Sequence, residues 1–154
     1  MNEIQTIQSL EAFAADLIAG LEPAARQELA RRLAGELRSR NQKRIAAQVA
    51  PDGTAYAPRK PQMRHRKGKI KRQMFSRLRT AKYLKAKGTP NEAIVAFTAE
   101  VSRIALVHHL GLRDRVNKKT GLEADYPARP LLGISPDDEA LIMEICTAHL
   151  ADRL

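Results

Sequence analysis

Apolar residues recur at three- and four-residue steps over the first fifty positions, which is the spacing of one helix face. Gly20 and Pro23 interrupt the recurrence, and Pro23 suits the first turn of a new helix. The pattern therefore predicts two helices, the second of which runs for about 26 residues, or roughly 40 Å, until Pro51 stops it. The predicted stripes are Ile7, Leu10, Phe13, Leu17 and Leu21 in the first helix, and Leu29, Leu33, Leu37, Ile45 and Val49 in the second.

The central region changes from helical to alternating periodicity. Residues 82–87 alternate polar and apolar, residues 88–91 contain the Gly and Pro of a turn, and residues 93–98 are suited to a second strand. This order predicts an antiparallel hairpin. Residues 101–110 fit either a strand or a short helix, and we favour a helix that ends at Gly111.

The region after Gly111 is polar, and residues 118–121 predict the tip of a protruding loop or ribbon. Leu131 and Leu132 suggest a short strand. A final helix begins after the N-cap Ser135, with acidic residues that complement the helix dipole. Its predicted buried stripe is Leu141, Ile142, Ile145 and Ala148.

These elements predict one α+β domain over residues 1–154. It has two N-terminal helices, a small antiparallel sheet with long basic loops, and a C-terminal helix packed on the sheet. The expected parts are a helical region (1–50), a basic loop (51–73), a sheet region with a short helix (74–134) and the C-terminal helix (135–154).

Charge is distributed very unevenly along the chain. The net charge is +10, and residues 54–91, which we call the acid-free segment, hold thirteen of the twenty-seven Lys and Arg and no Asp or Glu. Like charges at this density repel each other unless they stay solvated or meet an anionic partner. The segment therefore indicates an acidic surface or a nucleic acid nearby in the working state.

The patterns that usually indicate catalysis are absent from the sequence. It has no glycine-rich phosphate loop and no nucleophile elbow. The adjacent His108 and His109 point about 100° apart on a helix, which is unsuited to a shared metal. The single Cys146 excludes an intramolecular disulfide. We expect no enzyme activity, cofactor, metal or small-molecule substrate.

The N-terminus shows no secretion signal, and no run of about 18 apolar residues is present to span a membrane. We therefore expect a soluble protein in a reducing cytoplasm. The acid-free segment leaves two interpretations open: a solvated loop that orders against an acidic protein surface, or a module that contacts nucleic-acid phosphates without sequence specificity. Tyr56, Phe75 and Tyr83 flank the cations instead of punctuating them, which disfavours base stacking.

The order of four sequence blocks resembles the phage virion morphogenesis family, the tail completion proteins of contractile-tailed temperate phages and their prophage relatives. The blocks are RIAAQVAPDGTAYAPRK (44–60), FSRLRTAKYLKAK (75–87), AIVAFTAEVSRIALVHHLGLRDRV (93–116) and YPARPLLGIS (126–135). The resemblance covers nearly the whole chain. Its most specific parts are Pro-Asp-Gly, His-x-x-Gly-Leu-Arg-Asp and Tyr-Pro-Ala-Arg.

The resemblance implies a non-enzymatic structural protein of the virion, assembled in the host cytoplasm. It would complete the head-proximal end of the tail and enable head–tail joining, by self-association in a ring, commonly six-fold, and by docking to tail tube, terminator and neck proteins, close to DNA. The family's motif positions fall here on Pro51, Asp52, Gly53, Pro58, Arg59, His108, Gly111, Arg113, Tyr126, Pro127 and Arg129. Their expected roles are structural: a tight turn at Asp52 and Gly53, a helix cap at Gly111 and a fixed chain direction at Pro127.

Contacts with partners are expected from two exposed cationic loops. The candidate residues are Arg59, Lys60, Arg64, Arg66 and Lys67 in the first loop, and Arg113, Arg115, Lys118 and Lys119 in the second.

Overall fold

The computed structural model describes residues 3–59, 73–115 and 121–153, and within these residues the fold is α+β as predicted. The described residues form four helices and two small antiparallel sheets. The elements are α1 (Glu3–Ala19), α2 (Pro23–Ala47), β1 (Leu84–Gly88), β2 (Ala93–Phe97), α3 (Ala99–Leu110), β3 (Arg113–Arg115), β4 (Glu123–Asp125) and α4 (Pro136–Ala151).

Helix α2 is the central element, because β1, β2 and α4 all pack against it. Pro23 occupies its first turn, as predicted. The helix ends at Ala47, earlier than the stop expected from Pro51, because Gln48 adopts a left-handed conformation with φ of 60°. Its buried side chains are Leu29, Ala30, Ala34, Asn41 and Ile45, while the predicted stripe residues Leu33 and Leu37 are only half-buried.

The predicted hairpin is confirmed. β1 and β2 are antiparallel, with a register that runs from Leu84 opposite Phe97 to Gly88 opposite Ala93. A Cβ atom on Gly88 would lie 2.7 Å from the carbonyl carbon of Ala30 and closer still to the backbone nitrogen of Arg31. The absence of a side chain at Gly88 therefore allows the end of β1 to lie directly on α2.

The segment that fitted a strand or a helix forms helix α3, which starts at Ala99, two residues before its predicted start. Gly111 caps it with φ of 70° and donates its amide to the carbonyl of Val107, as predicted. The chain then forms a two-stranded ribbon of β3 and β4, with Arg113 opposite Asp125. Of the predicted tip at residues 118–121, residues 118–120 lie outside the described residues, and Gly121 has a φ of 66°.

The strand predicted at Leu131 and Leu132 is wrong, because this stretch is irregular. Leu131 is buried, and its amide donates to the Nδ1 atom of His109 over 3.1 Å. A side-chain acceptor thus replaces the partner strand that the prediction required.

Helix α4 packs antiparallel to α2. Its main contacts are with α2, whereas the sequence predicts packing on the sheet. At one end Asp138 meets Arg44, and at the other the Nε2 atom of His149 lies 2.9 Å from the carbonyl of Ala25. Ala148, assigned to the buried stripe, is exposed. The buried residues are instead Asp138, Ile145, His149 and Leu150.

The central apolar cluster lies where the end of α2, the turn after it, α3 and the stretch before α4 meet. Its buried members are Ile45, Ala50, Tyr56, Ala105 and Leu131. No helix among the described residues is both long and apolar enough to cross a membrane.

Candidate functional site

The two flanks of residues 60–72, the most basic part of the acid-free segment, meet at a single place in the core. The rings of Tyr56 and Phe75 contact each other there edge to face, with centroids 5.8 Å apart. Phe75 also contacts His108 at 5.0 Å, and His108 contacts Tyr126 at 4.7 Å. We call Tyr56, Phe75, His108 and Tyr126 the anchor cluster. It holds the two flanks together.

Phe75 has a positive φ of 62°, which is uncommon for a residue with a side chain. Such a conformation costs on the order of 1 kcal/mol and persists only where surrounding contacts stabilise it. Here the contacts are its two ring partners and the side chain of Gln48, which donates to the adjacent Met74 carbonyl over 2.9 Å. The entry of Phe75 into the core is therefore specified by packing.

Arg129 holds the chain at the N-terminal flank of residues 60–72, just before Arg59. Its side chain is buried and donates to the carbonyl of Ala57 over 2.7 Å and to that of Pro58 over 2.9 Å. Its own amide donates to the carbonyl of His108 over 2.7 Å. Burial, and secondarily the charge of Arg59, lower the pKa of Arg129. A charged fork thus clamps the backbone at Ala57 and Pro58, just before Arg59.

The anchor cluster is a neutral environment. Burial raises the pKa of Tyr56 to about 12, with a small opposing effect of Arg44, and its hydroxyl donates to the carbonyl of Pro130 over 3.1 Å. Burial lowers the pKa of His108, the charge of Arg129 lowers it further, and Asp114 opposes both. Among the described residues, the buried Nδ1 atom of His108 has no hydrogen-bond partner. His108 thus acts here as a neutral ring in a packed cluster.

The motif turn at Asp52 and Gly53 has the predicted geometry. The carboxylate of Asp52 accepts from the amide of Thr54 over 2.9 Å and from its hydroxyl over 2.7 Å, and these bonds lower the pKa of Asp52. Gly53 has φ of 87°. The turn brings Val49 and Ala55 together in a β-bridge. This bridge places the next residue, Tyr56, in the anchor cluster.

The described members of the second predicted contact set, Arg113 and Arg115, lie on β3 of the ribbon, next to α3. Arg113 is exposed, but its Nε atom pairs with Glu123 over 2.9 Å, and Arg103 pairs with Asp114 over 2.5 Å. A groove of about 890 Å³ separates the helix from the ribbon. It is lined by Glu100, Arg103, Ile104, Arg113, Asp114, Arg115 and Glu123.

The structure brings together only part of the predicted contact set. Arg59, Arg113 and Arg115 are described and exposed, with Arg59 close to Arg129 and the other two on β3. Six further candidates lie outside the described residues: Lys60, Arg64, Arg66, Lys67, Lys118 and Lys119.

Sequence reasoning missed a buried ion pair between α2 and α4. The Nη1 atom of Arg44 lies 2.5 Å from a carboxylate oxygen of Asp138, and its Nη2 atom donates to Asn41 and to the carbonyl of Gly133. Asp138 also completes a capping box with Ser135. The spacing of Ser135 and Asp138 indicated the box, but nothing local to Arg44 indicated its partner 94 positions away.

Residue types that bind metals do not converge in the part of the chain that the structure describes, where no group of three His, Cys, Asp or Glu is positioned to hold an ion. His109 accepts from the amide of Leu131, and His108 lies in the anchor cluster. Cys146 is half-buried, and burial raises the pKa of its thiol. The candidate functional side chains among the described residues are therefore packed rings and exposed cations.

A family model for the phage virion morphogenesis family matches residues 5–151. The chain belongs to this family. It is also 46% identical over 136 residues to tail completion protein S of Escherichia phage P2, a match that covers 87% of this chain and 90% of the relative. No solved structure matches the chain.

Membership of the phage virion morphogenesis family confirms the resemblance found in the sequence blocks. The structure adds a physical reason for several of the motif positions. Gly111, for instance, lets the end of α3 approach Ala128, where a Cβ atom would lie 2.6 Å from the backbone nitrogen. This contact, the Arg129 clamp and the Asp52 turn all hold segments of the chain that pack next to the anchor cluster.

Proposed function

We propose that this chain is a non-enzymatic structural protein that completes the head-proximal end of a phage tail and enables its joining to the head. It would act by self-association and by docking to tail and neck proteins. The observation that carries the proposal is the similarity to tail completion protein S over nearly the full length of both chains. On this proposal, the protein belongs to the virion and is assembled in the host cytoplasm.

The anchor cluster and the Arg129 clamp support a docking role for the cationic loop. They hold the chain on both sides of residues 60–72 against the core, so both flanks of this cationic stretch are fixed. Cations between such fixed flanks can pair with an acidic surface and raise the rate of productive encounter. We therefore assign the contacts with an acidic partner to Arg59, Lys60, Arg64, Arg66 and Lys67, and we propose Arg113, Arg115, Lys118 and Lys119, on the ribbon side, as contacts with other protein chains.

Disruption of the gene in its own phage genome tests the overall function. We expect filled heads and separate tails to accumulate, with joined particles restored by the wild-type chain supplied in trans. Electron microscopy and plaque titre measure this outcome. A normal yield of joined, infectious particles without the protein would overturn the proposal.

Charge-neutralising variants test the docking role of the loop. In trans, the triple change Arg64→Gln, Arg66→Gln and Lys67→Gln should leave the far-UV spectrum unchanged and reduce joined particles at least tenfold. The matched control replaces three cations of α2, Arg31, Arg32 and Lys43, with glutamine. Equal activity of the loop variant and the wild type would remove the loop from the docking surface.

A nucleic-acid-binding module remains the second candidate, because thirteen cations without an acidic residue also suit a phosphate backbone. Binding to DNA fragments at graded salt separates the two functions. Micromolar or tighter affinity that persists near physiological salt would favour the module. No measurable affinity there would favour the assembly protein.

A further inference from the structure

Helix α3 and the ribbon carry most of the large apolar side chains that are exposed among the described residues. Five of the eight such residues exposed in the described ranges lie here, on α3 or flanking the strands of the ribbon. They are Ile104, Leu106, Leu110, Leu112 and Leu122. Exposed apolar groups concentrated in one region, with charged residues around them, are typical of protein interaction sites.

The spacing along α3 places two of these residues together. Leu106 and Leu110 are four positions apart and therefore neighbours on the helix surface, 52% and 54% exposed. Arg103 precedes Leu106 by three positions and lies on the same side, where it pairs with Asp114 of the ribbon. The apolar stripe thus borders the groove between α3 and the ribbon. We call these residues and the groove the α3–ribbon face.

The charge of this face differs from that of the rest of the chain. The groove contains three carboxylates, on Glu100, Asp114 and Glu123, and these balance its three guanidinium groups, on Arg103, Arg113 and Arg115. The chain as a whole carries +10. A surface with balanced, partly paired charges and exposed leucines is therefore embedded in a strongly cationic protein.

We propose that the α3–ribbon face binds a second copy of this chain. Two molecules of charge +10 repel each other, and the repulsion is smallest where each presents a locally neutral surface. The alternating carboxylates and guanidinium groups can pair with the same set on a sister copy, while the leucines lose water on contact. An acidic partner or a nucleic acid would instead be drawn to the acid-free segment. The inference rests on the self-association proposed above, and it identifies the surface through which the copies bind each other.

Aspartate substitutions at the centre of the stripe test the location. Leu106→Asp and Leu110→Asp should each weaken self-association at least tenfold, as measured by sedimentation velocity and native mass spectrometry over a concentration series. The matched control is Met143→Asp on α4, an apolar residue of similar exposure, 44%, which should associate like the wild type. Circular dichroism verifies that each variant is folded. A wild-type chain that stays monomeric at every concentration, or aspartate variants that associate normally, would overturn the inference.

Crosslinking tests the identity of the occupant. In a Cys146→Ser background, Leu110→Cys should give covalent dimers with a short bismaleimide, and Met143→Cys should give none. Crosslinks from both positions at equal yield, or from neither, would contradict a specific contact between copies. These outcomes are separable from the function itself. A failed crosslink with blocked head–tail joining in the gene disruption overturns only this inference, whereas normal particle yield in that disruption overturns the proposed function.

Discussion

At the scale of single residues, Asp138 joins two helices through charge. Burial raises its pKa, but the amide of Ser135 and the guanidinium of Arg44 hold the pKa below its usual value near 3.8. The folded state therefore favours the ionised form, and the pair contributes stability that is present above about pH 3.8 and lost as pH falls towards the folded-state pKa. Asp138→Ala would leave Arg44 partly buried without its carboxylate.

We expect Asp138→Ala to lower the free energy of unfolding by about 3 kcal/mol at pH 7, which is typical of removing one partner of a buried ion pair. Urea denaturation monitored by circular dichroism measures it. The neighbouring exposed residue provides the control, since Asp137→Ala removes only a favourable interaction with the helix dipole, about 0.5 kcal/mol. Equal losses for the two variants would contradict the assigned role of the pair.

His108 adds a pH dependence of the same sign at a higher pH. Burial, then the charge of Arg129, lower its pKa, so the unfolded chain binds a proton more readily than the folded one. His108 should therefore have no destabilising effect above about pH 6.5, and the free energy of unfolding should decline as pH falls below that value. His108→Phe keeps an aromatic ring in the anchor cluster and removes the titration. Thermal melts from pH 7.5 to 5 should therefore show a shallower decline in the variant than in the wild type.

His109 provides the control for this measurement, because its ring accepts a hydrogen bond from the amide of Leu131. His109→Phe would leave that buried amide without its acceptor. This change should lower the free energy of unfolding by about 1–3 kcal/mol even at neutral pH. A His108→Phe variant whose melts follow the wild-type pH profile would show that His108 does not titrate in this range.

At the scale of elements, the junction of α3 with the ribbon depends on one close backbone approach. Gly111 has a left-handed φ, and a Cβ atom there would also meet the backbone of Ala128 at 2.6 Å. Gly121 has a similar φ of 66°, but an added Cβ atom there would have nothing within 4 Å. We expect Gly111→Ala to cost roughly 3 kcal/mol in urea denaturation and Gly121→Ala roughly 1 kcal/mol. Equal costs would mean that conformation alone, and not the contact with Ala128, requires glycine.

The same elements show why sequence predicts some features and not others. The hairpin, the α3 cap and the Ser135 N-cap follow from residues close together in the chain, and each was predicted correctly. The strand at Leu131 was wrong because two apolar residues after prolines say nothing about which acceptors surround them. The packing of α4 on α2 was not predicted, because the ion pair that joins the two helices connects Arg44 and Asp138 across 94 positions.

The candidate site divides in the same way. Composition and charge identify the acid-free segment without any structure. The clamp of Arg129 on the Ala57 and Pro58 carbonyls, and the edge-to-face contact of Tyr56 with Phe75, depend on the fold that brings them together. Arg113 and Arg115 were predicted from charge as contact residues, but the nearby carboxylates that neutralise the groove become relevant only once the ribbon pairs β3 with β4.

At the scale of the whole molecule, the charges separate two kinds of contact. The acid-free segment is strongly cationic, whereas the α3–ribbon face is balanced and partly apolar. Added salt screens charges that are farther apart than the Debye length, about 10 Å at 0.1 M and about 3 Å at 1 M. It should therefore weaken attraction between the segment and an acidic partner, while it reduces the overall repulsion between two copies of charge +10.

Self-association should consequently strengthen as sodium chloride rises from about 0.05 M to about 0.5 M, because apolar contacts persist while long-range repulsion fades. Sedimentation velocity at a fixed protein concentration measures the shift towards larger species. The loop variant with Arg64, Arg66 and Lys67 changed to glutamine carries less charge, so it should already associate more strongly at low salt and respond less to added salt. A self-association that weakens with salt in both proteins would mean that ion pairs between copies outweigh both the long-range repulsion and the apolar contacts, and it would contradict this prediction.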